Sequence, residues 1–165
     1  MLALISEHPT HGFAISRLTA PDGELGRIWH IPRAIIYRAI GRLEEAGLVA
    51  SQAVEPGRGP QRTIYAATAA GRRAAADWLD TPVQHVREVR SQLLIKLVLL
   101  GRAGTDPAGL LRRQKAILQP IASAITAERS QHKGFDATLL AWRRANAAAT
   151  LSFLDDITHS GASRA

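Results

Sequence analysis

The fold is decided by residues 31–67, which read IPRAIIYRAI GRLEEAGLVA SQAVEPGRGP QRTIYAA. From 36 to 43, apolar residues recur every three or four positions, which indicates a helix with one buried face. After Gly47, a residue typical of helix ends, the period shortens to two and predicts strands at 48–54 and 63–67. Two prolines and two glycines between the strands predict the loop of a β-hairpin. This stretch is therefore a helix followed by a hairpin.

The flanking sequence completes a larger unit. Helix-breaking proline and glycine residues predict two short helices before residue 19. Thr68 is a suitable N-cap for a fourth helix that ends near Leu79. Three helices, a hairpin and a helix are the layout of a winged helix-turn-helix, in which the third helix enters the major groove of DNA. Such a unit predicts one exposed helix face that suits DNA.

The remaining sequence predicts helices, so we expect a mainly α protein. Apolar residues recur at helical spacing over three further segments, and Pro120 interrupts the second of them. We predict a winged helix-turn-helix DNA-binding domain with a β-hairpin wing at 1–82, a helical dimerisation domain at 83–160 and a disordered tail at 161–165.

Composition excludes several classes of function. The 165 residues contain no cysteine, which excludes disulfides, thiolate zinc sites and cysteine nucleophiles. The six histidines form no metal-ligand pair on one predicted helix, so we expect no metal site and no cofactor. A membrane span needs about 20 consecutive apolar residues, and the longest run here is shorter and contains Lys96. The N-terminus has no basic region typical of a signal peptide, so we expect a soluble, cytoplasmic protein.

Of the net charge of +7, residues 1–82 carry only +1, but this near-neutral half conceals a local excess in the predicted DNA-binding elements. Between Arg27 and Arg62 there are six arginines against three glutamates. Arginine donates two hydrogen bonds to guanine or to phosphate, and a tyrosine hydroxyl donates to phosphate. We therefore predict DNA contact by the recognition helix 32–46 and the wing 55–62. The predicted contact residues are Arg33, Ala34, Tyr37, Arg38, Arg42, Arg58, Gly59, Gln61 and Arg62.

Several motifs, taken in order, resemble the PadR family of bacterial transcriptional regulators over nearly the whole chain. The matching stretches are His11-Gly12-Phe13, Trp29, residues 36–49, Gly57-Arg58-Gly59-Pro60, residues 65–72 and Trp78-Leu79. Residues 93–97 resemble the start of the helical C-terminal domain in the longer, virulence-activator-like branch. One departure is Phe13, because family members commonly have tyrosine there, and its absence removes one hydroxyl for phosphate contact.

The resemblance implies a homodimer, joined largely by its C-terminal helices, that binds an inverted-repeat operator and usually acts as a repressor. Carried over to this sequence, Tyr37 and Arg38 would contact operator phosphates or bases, and Arg58 and Arg62 would serve the wing. The last helix independently predicts a partner chain, because its apolar stripe is wider than one intramolecular neighbour needs. The predicted interface residues are Leu139, Trp142, Leu151, Phe153, Leu154 and Ile157.

Some residues allow more than one interpretation. The arginines of the helix and wing also fit a solvated surface, and Ile35 is either the edge of the core or a contact to a thymine methyl group, the core being favoured. Trp142 is either part of a dimer core, a stacking platform for a small-molecule effector, or neither. A winged helix that binds an acidic protein is the alternative function. No nucleophile, paired-carboxylate or metal motif indicates an enzyme.

Overall fold

A computed structural model describes residues 1–55, 61–128 and 133–162. It divides into two compact units, Met1–Thr81 with Ile95–Thr105, and Pro82–Leu94 with Asp106–Ala165. The first unit, here called unit 1, begins with three helices, a hairpin and a helix, as predicted. Its elements are α1 (Leu2–Glu7), α2 (Gly12–Leu18), α3 (Arg33–Glu45), β1 (Val49–Glu55), β2 (Arg62–Ala67) and α4 (Ala69–Asp80). Helix α5 (Val86–Glu88), a π-helical turn (Val89–Leu93), α6 (Leu94–Arg102), α7 (Ala108–Ala127) and α8 (Phe135–Ala162) follow.

The core of unit 1 forms where α3 meets the other helices and the hairpin. Ile36 and Ile40 are the buried residues of α3, at 0% and 1% exposed, and they lie in one apolar cluster with Ile5 and Ile15. Because these two isoleucines are four residues apart, they lie on one side of the helix and leave the opposite side to solvent. The buried stripe therefore fixes which side of α3 is available to a ligand.

The hairpin is antiparallel, and the segment before α2 joins it through an isolated β-bridge. In the hairpin, Val49 pairs with Ala67, Glu55 pairs with Arg62, and the register shifts between Ser51 and Ala53. Thr10 bridges Tyr65, with backbone N–H···O distances of 2.9 and 2.8 Å. The bridge stabilises β2 against the start of α2, so the wing strand and the helix-turn-helix form one framework.

The segment that follows α3 makes a close contact with the first turn of α4. The Thr68 hydroxyl donates to the Gly47 carbonyl at 2.8 Å and accepts from the Gly71 amide at 3.0 Å. Gly71 is buried, and a Cβ atom built on it would lie 1.9 Å from the Leu48 carbonyl oxygen. Only glycine allows the two backbones to approach this closely.

Helix α6 departs from the predicted domain boundary, because Ile95–Thr105 belongs to unit 1 rather than to a separate domain from residue 83. Leu99, 3% exposed, lies in the N-terminal core. Lys96, 2% exposed, donates to the Thr81 carbonyl and lies 4.7 Å from the Trp78 ring. Arg102 donates to Glu7 at 2.7 Å and to Glu24 at 2.6 Å, and the hydrogen bond to Glu7 raises the pKa of its guanidinium.

The second unit, here called unit 2, is entirely helical in the residues that the structure describes. The Gln114 side chain is fully buried and forms two 2.8 Å hydrogen bonds with the backbone of Val83. Lys115 and Asp155 form an ion pair between α7 and α8. Helix α8 includes Gly161 and Ala162, which were predicted to lie in a disordered tail, and residues 163–165 lie outside the described part. No helix among the described residues is long and apolar enough to cross a membrane.

Candidate nucleic-acid interface

The N-terminal half of α3 presents the predicted side chains to solvent. Arg33, Ala34, Tyr37 and Arg38 are exposed, as is Arg42 one turn further on. The 45% exposure of the Tyr37 side chain leaves its hydroxyl accessible. This surface thus combines planar guanidinium donors with a phenol hydroxyl. They lie at the N-terminal end of the helix, which is the end that contacts base edges in winged helices.

Ile35 lies on the exposed side of α3, at 43% exposed. The favoured alternative, a position at the edge of the core, is therefore wrong. The physical reason is that the buried stripe is narrow: Ile36 and Ile40 are buried and Leu43 packs partly buried against the core, whereas Ile35 lies outside the cluster. An exposed isoleucine beside arginines is suited to apolar contact with a thymine methyl group.

Phe13 of α2 connects the recognition helix to the wing, a role that sequence patterns did not reveal. The guanidinium carbon of Arg33 lies 5.3 Å from the centre of the Phe13 ring, and that of Arg62 lies 5.1 Å from it. Both distances are within the range of cation–π attraction. The sequence marks Phe13 as a departure within a family motif but does not connect it with Arg62. Contacts between residues so far apart along the chain leave no trace in local periodicity.

Tyr37 is held beside this cluster by two contacts. Arg33 lies 5.5 Å from its ring centre and donates a long, 3.4 Å hydrogen bond to its hydroxyl. A Cβ atom on Gly12 would lie 2.8 Å from Cε1 of Tyr37, so the absence of a side chain at Gly12 makes room for the ring. Since Arg33 and Tyr37 are four residues apart, they lie on the same side of α3.

The wing contributes Gln61 and Arg62, which are both exposed. Arg62 begins β2, and its backbone pairs with that of Glu55 across the hairpin. The predicted contact residues Arg58 and Gly59 fall within residues 56–60, which lie outside the described part of the chain. The predicted contact arginines within the described residues are therefore Arg33, Arg38, Arg42 and Arg62.

Unit 2 contains a separate open cleft of about 840 Å³ between the segment 85–94, α7 and α8. Trp142 and Leu139 line it and are 66% and 41% exposed, and Phe153 lines it half-buried. Its titratable lining residues are basic: His85, Arg87, Arg90 and Arg143.

The six predicted interface residues of α8 have different environments. Leu139 and Trp142 are exposed, whereas Leu151, Phe153 and Ile157 are half-buried. Leu154 is 0% exposed in the single chain. Its prediction as an interface residue is therefore wrong, because the core of its own unit already covers its whole side chain.

The family comparison bears on unit 1. Residues 1–77 match the model of the transcriptional regulator PadR-like family. The matched region includes α3, the hairpin and most of α4, so Phe13 and the exposed arginines of α3 and the wing all lie within it. The resemblance of residues 93–97 to the virulence-activator-like branch lies beyond the matched region and stays a prediction.

Two solved structures are similar to the chain at low identity. Bacillus subtilis PadR in complex with operator DNA is 18% identical, with a TM-score of 0.47, over 95% of this chain and 94% of that one. The protein smu.1604c of Streptococcus mutans UA159 is 19% identical, with a TM-score of 0.44, over 94% of each chain. The chain matches no curated protein. The similarity to the PadR-like family therefore depends on the match over residues 1–77.

Proposed function

We propose that this chain is a DNA-binding transcriptional regulator that inserts α3 into the major groove and lays the wing along the adjacent backbone. The observation that carries the proposal is the exposed face of α3 in the region that matches the PadR-like family, with Arg33, Tyr37 and Arg38 at its N-terminal half and Arg62 of the wing close to them. Arg33 and Arg62 both lie against the Phe13 ring, so the helix and the wing present one continuous cationic surface.

The distribution of charge along α3 supports this orientation. Arg33 and Arg38 lie in the first half of α3, whereas Glu44 and Glu45 lie in the last turn beside Arg42. Phosphates attract the first set and repel the second. A helix that enters the groove by its N-terminal half keeps the glutamates away from the backbone. The same arrangement brings Ala34 and Ile35 toward base edges, where thymine methyl groups offer apolar contacts.

We further propose that two copies assemble through the cleft of unit 2 and bind an inverted repeat, with repression as the outcome. An exposed tryptophan beside other apolar residues is typical of the centre of a protein interface. In a symmetric dimer the two recognition helices would meet half-sites about 34 Å apart. A small-molecule effector that stacks on Trp142 is the alternative use of the same cleft.

Direct binding tests the proposed function. The purified chain is mixed with DNA from the region upstream of its own gene, and genome-wide footprinting then supplies the operator sequence, its symmetry and the regulated genes. We expect a protected inverted repeat. Failure to bind any DNA, together with binding to an acidic protein, would instead support the protein-interaction alternative.

Arg38→Ala is expected to weaken operator binding about 5- to 150-fold per half-site, the effect of about 1–3 kcal/mol for a contact to one base. The physical reason is the loss of a bidentate donor from the exposed face of α3. Fluorescence anisotropy on a labelled operator measures the change. Arg73→Ala is the matched control, because it removes the same charge from an exposed position on α4. Equal effects of the two substitutions would contradict specific contact by α3.

Trp142→Glu is expected to raise the dimer dissociation constant at least about 30-fold, because truncated interface tryptophans commonly cost about 2 kcal/mol or more and the glutamate also buries a charge. Sedimentation equilibrium measures the constant. Ala148→Glu is the matched control on α8, at an exposed position outside the lining of the cleft. If Trp142→Glu leaves the constant unchanged, the cleft is not the dimer interface and the effector alternative gains support.

A further inference from the structure

We propose that Phe13 is a positioning residue for DNA binding, which holds the guanidinium groups of Arg33 and Arg62 on one ring so that the recognition helix and the wing engage the backbone together. This inference rests on the proposed function. Arg33 comes from α3 and Arg62 from the start of β2, and their guanidinium carbons lie 5.3 and 5.1 Å from the same ring centre. Phe13 is thus the common partner of cations from two elements.

The Phe13 ring can orient an arginine without occupying the hydrogen-bond donors of its guanidinium group. A guanidinium packs on an aromatic ring through its flat face, while its N–H groups point outward from the edge. An arginine stacked on Phe13 can therefore remain there while it donates to a phosphate. Phenylalanine itself offers no hydrogen bond, so it does not compete with DNA for these donors.

The ring also offsets the repulsion that two neighbouring guanidinium groups would otherwise experience. Its negative face attracts both cations and limits the conformations that each long side chain explores before DNA arrives. Ordering of such side chains is one of the costs of association, and its reduction in the free protein strengthens binding. Arg33 is constrained further by Tyr37, whose hydroxyl accepts its 3.4 Å hydrogen bond.

The first test is operator binding by Phe13→Leu and Phe13→Tyr. We expect Phe13→Leu to weaken binding about 5- to 30-fold per half-site, because two long side chains must then be ordered when DNA binds. Phe13→Tyr keeps the ring and adds a hydroxyl that can donate to phosphate, so it is expected to bind at least as tightly as the wild type. Circular dichroism and thermal melting establish that both variants are folded. Unchanged or tighter binding by a folded Phe13→Leu would overturn the proposal. It would mean that the ring does not contribute to DNA binding or that it holds the arginines away from DNA.

A thermodynamic cycle separates positioning from general packing. In a protein that already carries Arg33→Ala and Arg62→Ala, we expect Phe13→Leu to change operator affinity less than about 2-fold, because the ring then has no cation to hold. A merely structural role of Phe13 would weaken binding equally in both backgrounds. The cycle is measured at low salt, where the weakened double variant still gives a measurable affinity.

An experiment without DNA distinguishes failure of this inference from failure of the proposed function. In nuclear magnetic resonance spectra, the side-chain protons of Arg33 and Arg62 should be shifted by the Phe13 ring. Phe13→Leu should abolish the shift at Arg62 and reduce it at Arg33, which the Tyr37 ring also shifts. Absence of the shift in the wild type overturns the positioning role even if DNA binds. A wild type that shows the shift but binds no DNA overturns the proposed function and, with it, the role assigned to Phe13.

Discussion

An increase in salt from about 50 to about 200 mM is expected to weaken operator binding by about 10³- to 10⁵-fold, the loss typical of a protein with six to ten phosphate contacts. The described surface of one chain carries Arg33, Arg38, Arg42 and Arg62. The proposed homodimer therefore presents eight such arginines to the duplex. Each contact releases about 0.9 of a condensed counterion, so a plot of log affinity against log salt should have a slope of about −7.

Anisotropy titrations at several salt concentrations measure this slope, and variants identify which cations cause it. Removal of one arginine per chain removes two contacts from the dimer, so Arg38→Ala should make the slope shallower by about 2 if it contacts phosphate and should barely change it if it reads a base. Arg73→Ala should leave the slope as it is. A flat salt dependence for the wild type would contradict the proposed mode of binding.

Gly71→Ala is expected to destabilise unit 1 by about 3 kcal/mol or more, above the usual cost of one inserted methyl group. The added Cβ would lie 1.9 Å from the Leu48 carbonyl oxygen, which belongs to the backbone and cannot rotate away. Separation of the two backbones would break the hydrogen bonds of Thr68 to Gly47 and Gly71. For a unit of this size, the melting temperature should fall by at least about 10 °C.

Gly101→Ala provides the matched control for this stability prediction. Gly101 is exposed in α6, and a Cβ atom there would have nothing within 4 Å. Alanine at such a helical position is expected to be neutral or to stabilise by about 0.5–1 kcal/mol. Thermal and urea unfolding followed by circular dichroism measure both variants. Similar melting temperatures for Gly71→Ala and the wild type would disprove the proposed close contact between α4 and the end of α3.

The sequence predicted the helices and strands of residues 1–80 well, because each has a strong local cause. Spacing at Ile36 and Ile40 marks the buried stripe of α3, and Thr68 caps α4 as predicted. The exposed positions of Arg33, Tyr37 and Arg38 follow from that stripe by geometry. The recognition helix was predicted at 32–46 and occupies Arg33–Glu45.

Other features could not be predicted from local pattern. Leu154 has the same character as the neighbouring apolar residues of α8, and only its packing in unit 2 distinguishes a core residue from a surface residue. Residues 95–100 continue the helical pattern predicted from Val86, yet Ile95–Thr105 folds with unit 1, where Leu99 lies in the core. Ile35 was favoured as a core residue because hydrophobic character alone does not reveal how wide a buried stripe is.

The sequence by itself determined the order of helices and strands, the recognition helix and the set of arginines available to it. The tertiary structure alone decided which residues meet: Phe13 with Arg33 and Arg62, Gly71 with Leu48, and α6 with the N-terminal core. The physical reason is that local sequence pattern and tertiary contacts reflect interactions over different separations along the chain. Periodicity and capping reflect interactions within a few residues along the chain, whereas these contacts depend on the packing of distant segments, which many sequences of the same pattern could arrange differently.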